Sequence, residues 1–177
     1  MSSHAVAEDL QSLLVEVIDL SLTSRQAQWI LVRPLFDPLS AELEGLAADA
    51  WTWADALGAR LAGMGVPPDG RAATVAEQAR FADWAAGFVD DAEAVAPVVV
   101  RLNRMIEECP RRIESLRDSD PISEDLIIRV VAGLVTHRWL LVSQVSGESS
   151  PSDEAEVGRE RAGAGKKKAD VDERAHL

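Results

Sequence analysis

An all-α fold, a four-helix bundle with one long crossover, is what this chain of 177 residues predicts. Three observations point there. Four long segments carry apolar residues at helical spacing. No segment alternates apolar and polar residues in the manner of a half-buried strand. The connection between the second and third segments is far longer than a hairpin turn.

The first segment sets Leu10, Leu13, Leu14 and Val17 on one stripe that ends in the small polar Ser21. It reaches about Val32 and stops before Pro34 and Pro38, because proline disfavours helix in the residue before it. The second runs from about Leu39 to Met64, with Leu43, Leu46, Ala50, Leu57 and Leu61 sharing a face. Gly65, followed by Val66-Pro67-Pro68-Asp69-Gly70, ends it with strong turn chemistry. A short helix is expected within the connection, around Thr74–Ala79.

The third segment, from about Ala86 to Leu116, repeats Val89, Ala92, Ala96, Val99, Leu102, Ile106, Cys109, Ile113 and Leu116. Pro97 and Pro110 lie inside it and predict a kink, or a break near Pro110. Asp120-Pro121 reads as an N-cap with proline in the first helical position. The fourth helix then runs to about Val145. Its apolar residues cover nearly the whole circumference, which predicts burial on all sides and contact with a neighbouring subunit. The bundle is expected over 1–146, and the Ser-, Glu- and Lys-rich stretch 147–177 is expected to be a disordered charged tail.

Composition narrows the function. With 18 Lys+Arg against 30 Asp+Glu the formal charge is −12, which argues against a dedicated nucleic-acid binder. The single cysteine excludes a disulfide framework and a Cys-rich zinc module. Cys109, on an apolar stripe, is expected to be buried and inert. No basic leader precedes the first acids, and Arg129 interrupts the greasiest run, LIIRVVAGLV. A soluble cytoplasmic protein with no membrane span is the expectation.

Several stretches, in order, resemble one family. They are Ala27-Gln28-Trp29-Ile30-Leu31-Val32-Arg33-Pro34-Leu35-Phe36, the Leu57–Leu61 run, the Gly65–Gly70 turn and EDLIIRVVAGLVTHRWLL over 124–141. A bundle with one long crossover is the ferritin-like topology. Together these resemble the Dps family, ferritin-like mini-cages that oxidise and store iron and shield DNA in stressed bacteria. The resemblance covers roughly residues 5–146. It implies a homo-oligomer, a hollow dodecamer built from two-fold dimers, with Trp29 at an interface.

The resemblance also implies a ferroxidase centre at positions matching Gln28, Ser40, Glu44, Asp55 and Ala59. The family usually has His, His, Asp, Asp and Glu there. Only Glu44 and Asp55 keep a carboxylate, so iron is expected to bind weakly and the centre to be absent or impaired. An authentic ferroxidase with an atypical ligand set, and a structural or nucleoid-associated protein with no iron role, are the alternatives. Glu44 and Asp55 share a face but lie about 16 Å apart along one helix. A shared site would need Glu44 of one subunit facing Asp55 of another across a two-fold axis. Bonding of these carboxylates to Arg60 or Arg33 is the plainer expectation.

Three further features carry weaker expectations. His137 is read as a packed, hydrogen-bonded core residue. Glu107-Glu108 and Asp90-Asp91 are read as solvated faces. Lys166, Lys167 and Lys168, the only lysines, form one basic cluster through which the tail would touch DNA phosphates.

Overall fold

The computed structural model describes residues 3–32, 36–78, 87–117 and 119–146. The contacts divide the chain into Met1–Val145 and Ser146–Leu177, and all but Ser146 of the second unit lies outside the described residues. Lys166, Lys167 and Lys168 are therefore outside them, as are Arg33 and Trp84.

The fold is an all-α, ferritin-like four-helix bundle. Its long helices are α1 (Ser3–Ile30), α2 (Phe36–Gly63), α4 (Asp91–Leu116) and α5 (Pro121–Ser146), and the short α3 (Ala72–Gln78) lies within the crossover. The expected stripes of α1 and α2 form the core: Leu10, Leu13, Val17, Leu43, Leu46, Leu57 and Leu61 are fully buried. Ser21 sits beside them and donates its hydroxyl to the Ala47 carbonyl at 2.9 Å, tying α1 to α2.

Gly65 ends α2 at φ 76°, in the left-handed region. Around it Gly65 N donates to Ala62 O and Val66 N to Leu61 O, the paired bonds of a Schellman cap. In the crossover, Gln11 of α1 clamps the Asp69 backbone from both sides, donating to its carbonyl at 2.8 Å and accepting from its N–H at 2.9 Å. Asp69 then takes hydrogen bonds from Arg71 and Thr74, which hold its carboxyl well below the usual range at the start of α3.

α4 differs from expectation in two ways. It is one helix through both Pro97 and Pro110, with no break. Each proline removes one backbone donor, but the helix keeps its remaining bonds and a buried face. Its core register is also rotated in the first turns. Ala94, Val95 and Val98 are buried, whereas Ala92 and Ala96 are exposed. The helix begins only at Asp91, where Asp90 caps it by accepting from Glu93 N at 2.9 Å. Asp90-Asp91 is not a simple solvated face, since Asp91 is buried. Just ahead of this helix, Val89 exchanges backbone bonds with Ile30 and Val32, stapling the end of α1 to the end of the crossover.

Within the single chain, α5 is buried on one face. Ile127, Val130, Leu134 and Leu141 are buried, but Ile128, Val135, Trp139 and Val142 are exposed. By length and composition α5 is apolar enough to cross a membrane, despite Arg129. One face packs in the bundle and buries His137. The α2–α5 contact is close: a Cβ on Gly133 would stand 2.2 Å from Trp53 Cζ2, so the indole rests where only glycine leaves room.

Candidate functional site

The α1–α2 hairpin brings three of the five expected ligand positions together. Gln28 sits in the last turn of α1, and Ser40 and Glu44 face it from the first turns of α2. Gln28 Nε2 donates to Ser40 Oγ at 3.2 Å and to the Ser40 carbonyl at 3.3 Å. Its Oε1 accepts from Arg25 Nη1 at 2.7 Å. The same Nη1 reaches Glu44 Oε1 at 3.4 Å.

This arrangement decides the local chemistry. A guanidinium offers five donors and no lone pair, and it stays charged at any pH of interest. Here it spans the amide oxygen and the carboxylate, the two strongest oxygen donors of the cluster. The Gln28 amide is thereby oriented, oxygen toward Arg25 and nitrogen toward Ser40. Of these three residues only Glu44 carries a charge, and Arg25 stands beside its carboxylate.

Asp55 and Ala59 lie further along the exposed face of α2. The hairpin does not bring them to the other three, as their spacing along the helix requires. Nor does Arg60 serve these carboxylates. It donates from Nη2 to both Asp120 oxygens at 2.8 Å and from Nε to Ser123 Oγ at 2.9 Å, bracing the start of α5.

Two polar seams add to this picture. Across α1 and α4, the buried Arg112 grips Glu16 with both terminal nitrogens, at 2.9 and 2.6 Å, and Arg101 pairs with Asp19 at 2.9 Å. Glu108, expected to be solvated, joins this seam by accepting from Arg104 and Arg112. Burial disfavours the Arg112 charge, but Glu16 outweighs it and raises its pKa. Removing one partner of such a pair costs about 3–5 kcal/mol, because the other is left buried and charged. Cys109 beside it is buried, and burial pushes its thiol up to about 11.

Between α2 and α5, His137 lies between two carboxylates. Nδ1 meets Glu42 Oε1 at 2.6 Å and Nε2 meets Asp49 Oδ2 at 3.0 Å, with Trp53 edge-on at 6.2 Å. The packed, hydrogen-bonded role expected for His137 is the one observed. The two carboxylates approach opposite edges of the ring, so they cannot share one metal ion with it. Among the described residues no group of three or more His, Cys, Asp or Glu is placed to hold a metal.

Sequence reasoning missed Arg25 and the Glu42–His137–Asp49 clamp. The first had a signal, an arginine three residues before Gln28 and so on its face. The second had half of one, since Glu42 and Asp49 are seven residues apart on α2.

Comparison with known proteins bears on identity. No family model matches the chain. It is 25% identical over 140 residues to the fine tangled pili major subunit of Haemophilus ducreyi, covering 79% of this chain and 74% of that one. It is 26% identical over 136 residues to the DNA protection during starvation protein of Mycolicibacterium smegmatis, covering 77% and 74%. An N-terminal deletion mutant of Dps from Mycobacterium smegmatis superposes with a TM-score of 0.77 at 26% identity, covering 83% of this chain and 97% of that one. The chain is thus similar in sequence and fold to Dps proteins. Within this Dps-like chain, Gln28, Ser40 and Ala59 stand where the resemblance implies His, His and Glu, and Arg25 reaches past Gln28 to Glu44.

Proposed function

We propose that the chain is a cytoplasmic Dps-type cage subunit that sequesters iron and protects DNA under stress, with its own ferroxidase centre absent or impaired. Copies assemble as a hollow dodecamer of two-fold dimers. The observation that carries this reading is a Dps fold whose expected ligand cluster is bridged by Arg25 instead of being left open to a metal. Iron is the cargo here. Glu44 and Asp55 bind it loosely at most, since affinity follows the number and charge of ligands. The tail cluster Lys166, Lys167 and Lys168 supplies the contact with DNA, and the acidic body makes that contact sensitive to salt.

The deciding measurement is the rate of Fe(II) loss with O₂ or peroxide, per subunit, on size-fractionated protein. The expected rate equals that of a protein-free control. A fast saturable phase would select the alternative, a ferroxidase with an atypical ligand set. If the assignment of positions is right, Gln28→His, Ser40→His and Ala59→Glu together with Arg25→Ala give a saturable phase. The three ligand changes without Arg25→Ala give less, because the guanidinium repels the metal.

A second reading is an assembly protein with no iron role. The likeness to a protein named as a pilus major subunit favours it. Assembly without iron uptake into the particles would select it.

A further inference from the structure

The outer face of α2 carries Glu44, Ala48, Trp51, Asp55 and Ala59, all exposed in the single chain. Trp51 leaves 53% of its surface in water, and Trp29 of the neighbouring α1 leaves 67%. Large exposed aromatics beside small residues mark a surface that packs against another one.

A two-fold axis places strict demands on such a face. Two α2 helices meet antiparallel, and each contact is made twice. When Glu44 of one copy stands level with Asp55 of the other, Ala48 stands level with Trp51 and Ser40 with Ala59. Each indole then meets an alanine, which leaves room for it. The register that brings the charges together is thus the register that fits the shapes.

The charges need a cation, because Glu44 and Asp55 alone repel each other. Arg25 supplies it. Its contacts to Gln28 and Glu44 both leave from Nη1, so they do not spend the Nε–Nη2 edge. That edge is the fork that takes a second carboxylate in bidentate fashion.

We propose that Arg25 pairs with Asp55 of a second copy across a two-fold α2–α2 interface, a fixed protein cation where a metal would otherwise join the subunits. The proposal rests on the homo-oligomeric reading above and adds what holds its two-fold contact. The occupant of this face is a second copy of the chain, recognised by charge complementarity and by the indole–alanine fit.

The test is a charge exchange on the full chain, followed by sedimentation with a chelator present. Arg25→Glu and Asp55→Arg singly weaken assembly roughly tenfold or more, the size expected for a close interfacial pair. The double variant restores it, since the guanidinium introduced at position 55 then faces both Glu44 and the carboxylate introduced at position 25. Helix content by circular dichroism shows that each variant folds. Unchanged assembly in the singles overturns the proposal, as does a double variant that stays dissociated. Dissociation of the unaltered protein by chelator also overturns it, because a metal would then be the joining cation. Should a charge variant fail to fold, a chain with Arg25→Cys and Asp55→Cys is treated with a short bismaleimide. Linked pairs of chains support the contact, and unlinked chains overturn it. These assays read assembly in the absence of iron, so an active ferroxidase would overturn the iron reading without touching them.

Discussion

Asp120 joins three jobs in one side chain. It caps α5 by accepting from Ser123 N at 3.1 Å, takes the Ser123 hydroxyl at 2.6 Å and receives Arg60 on both oxygens. Burial pushes its carboxyl up, but the bonds from Ser123 and Arg60 and the nearby positive charge outweigh it, and the net pKa is lowered from 3.8. A depressed carboxylate contributes stability above its unfolded pKa and loses it as pH falls through the folded value. Asp120→Ala therefore costs about 1–2 kcal/mol at pH 7. The gap to the unaltered protein narrows below about pH 4 as the carboxyl protonates. Urea unfolding of both proteins across pH 2–7 checks this, and a gap that does not shrink in acid would remove Asp120 from the account.

At the level of helices, the α2–α5 pair is held by a slot and a clamp. Gly133 and His137 are one turn apart on α5, and Trp53 of α2 fills the space they frame. Gly133→Ala puts a methyl group into the indole, and overpacking of that kind costs about 1–3 kcal/mol. Alanine is otherwise the better helix former by about 1 kcal/mol, so a rise in stability would show that the slot is loose. Thermal unfolding decides between them. The prolines of α4 argue at the same scale. A proline weakens one backbone bond, whereas the helix is retained by its whole buried face and by Arg101 and Arg112, which tie it to α1.

For the molecule as a whole, large apolar side chains remain in water on several faces, among them Trp51 on α2 and Ile128, Val135 and Trp139 on α5. A single chain with a net charge of −12 and such faces is suited to association through them, with the acidic remainder in solvent. The DNA contact proposed above lies elsewhere in the chain, in the cluster Lys166, Lys167 and Lys168. Replacing Lys166, Lys167 and Lys168 with alanine should abolish any gel shift of duplex DNA at moderate salt while leaving assembly intact. A shift that survives at the same salt would place the DNA contact elsewhere.

Helical periodicity, turn chemistry and capping residues determined the four long helices, the glycine stop after Leu61–Met64 and the cap at Asp120, because these depend on residues near one another in the chain. The same local information predicts that Gln28, Ser40 and Ala59 are poor metal ligands. It misjudged the start of α4, where Ala92 and Ala96 continue a stripe that the helix turns outward. It left open which side of α5 its own bundle covers, since an apolar circumference does not say which neighbour covers which side. Only the tertiary structure set Arg25 across Gln28 and Glu44, Arg60 on Asp120 and His137 between Glu42 and Asp49. Those pairings join residues up to 95 positions apart, and which charges meet is fixed by how the helices pack, not by any spacing within one of them.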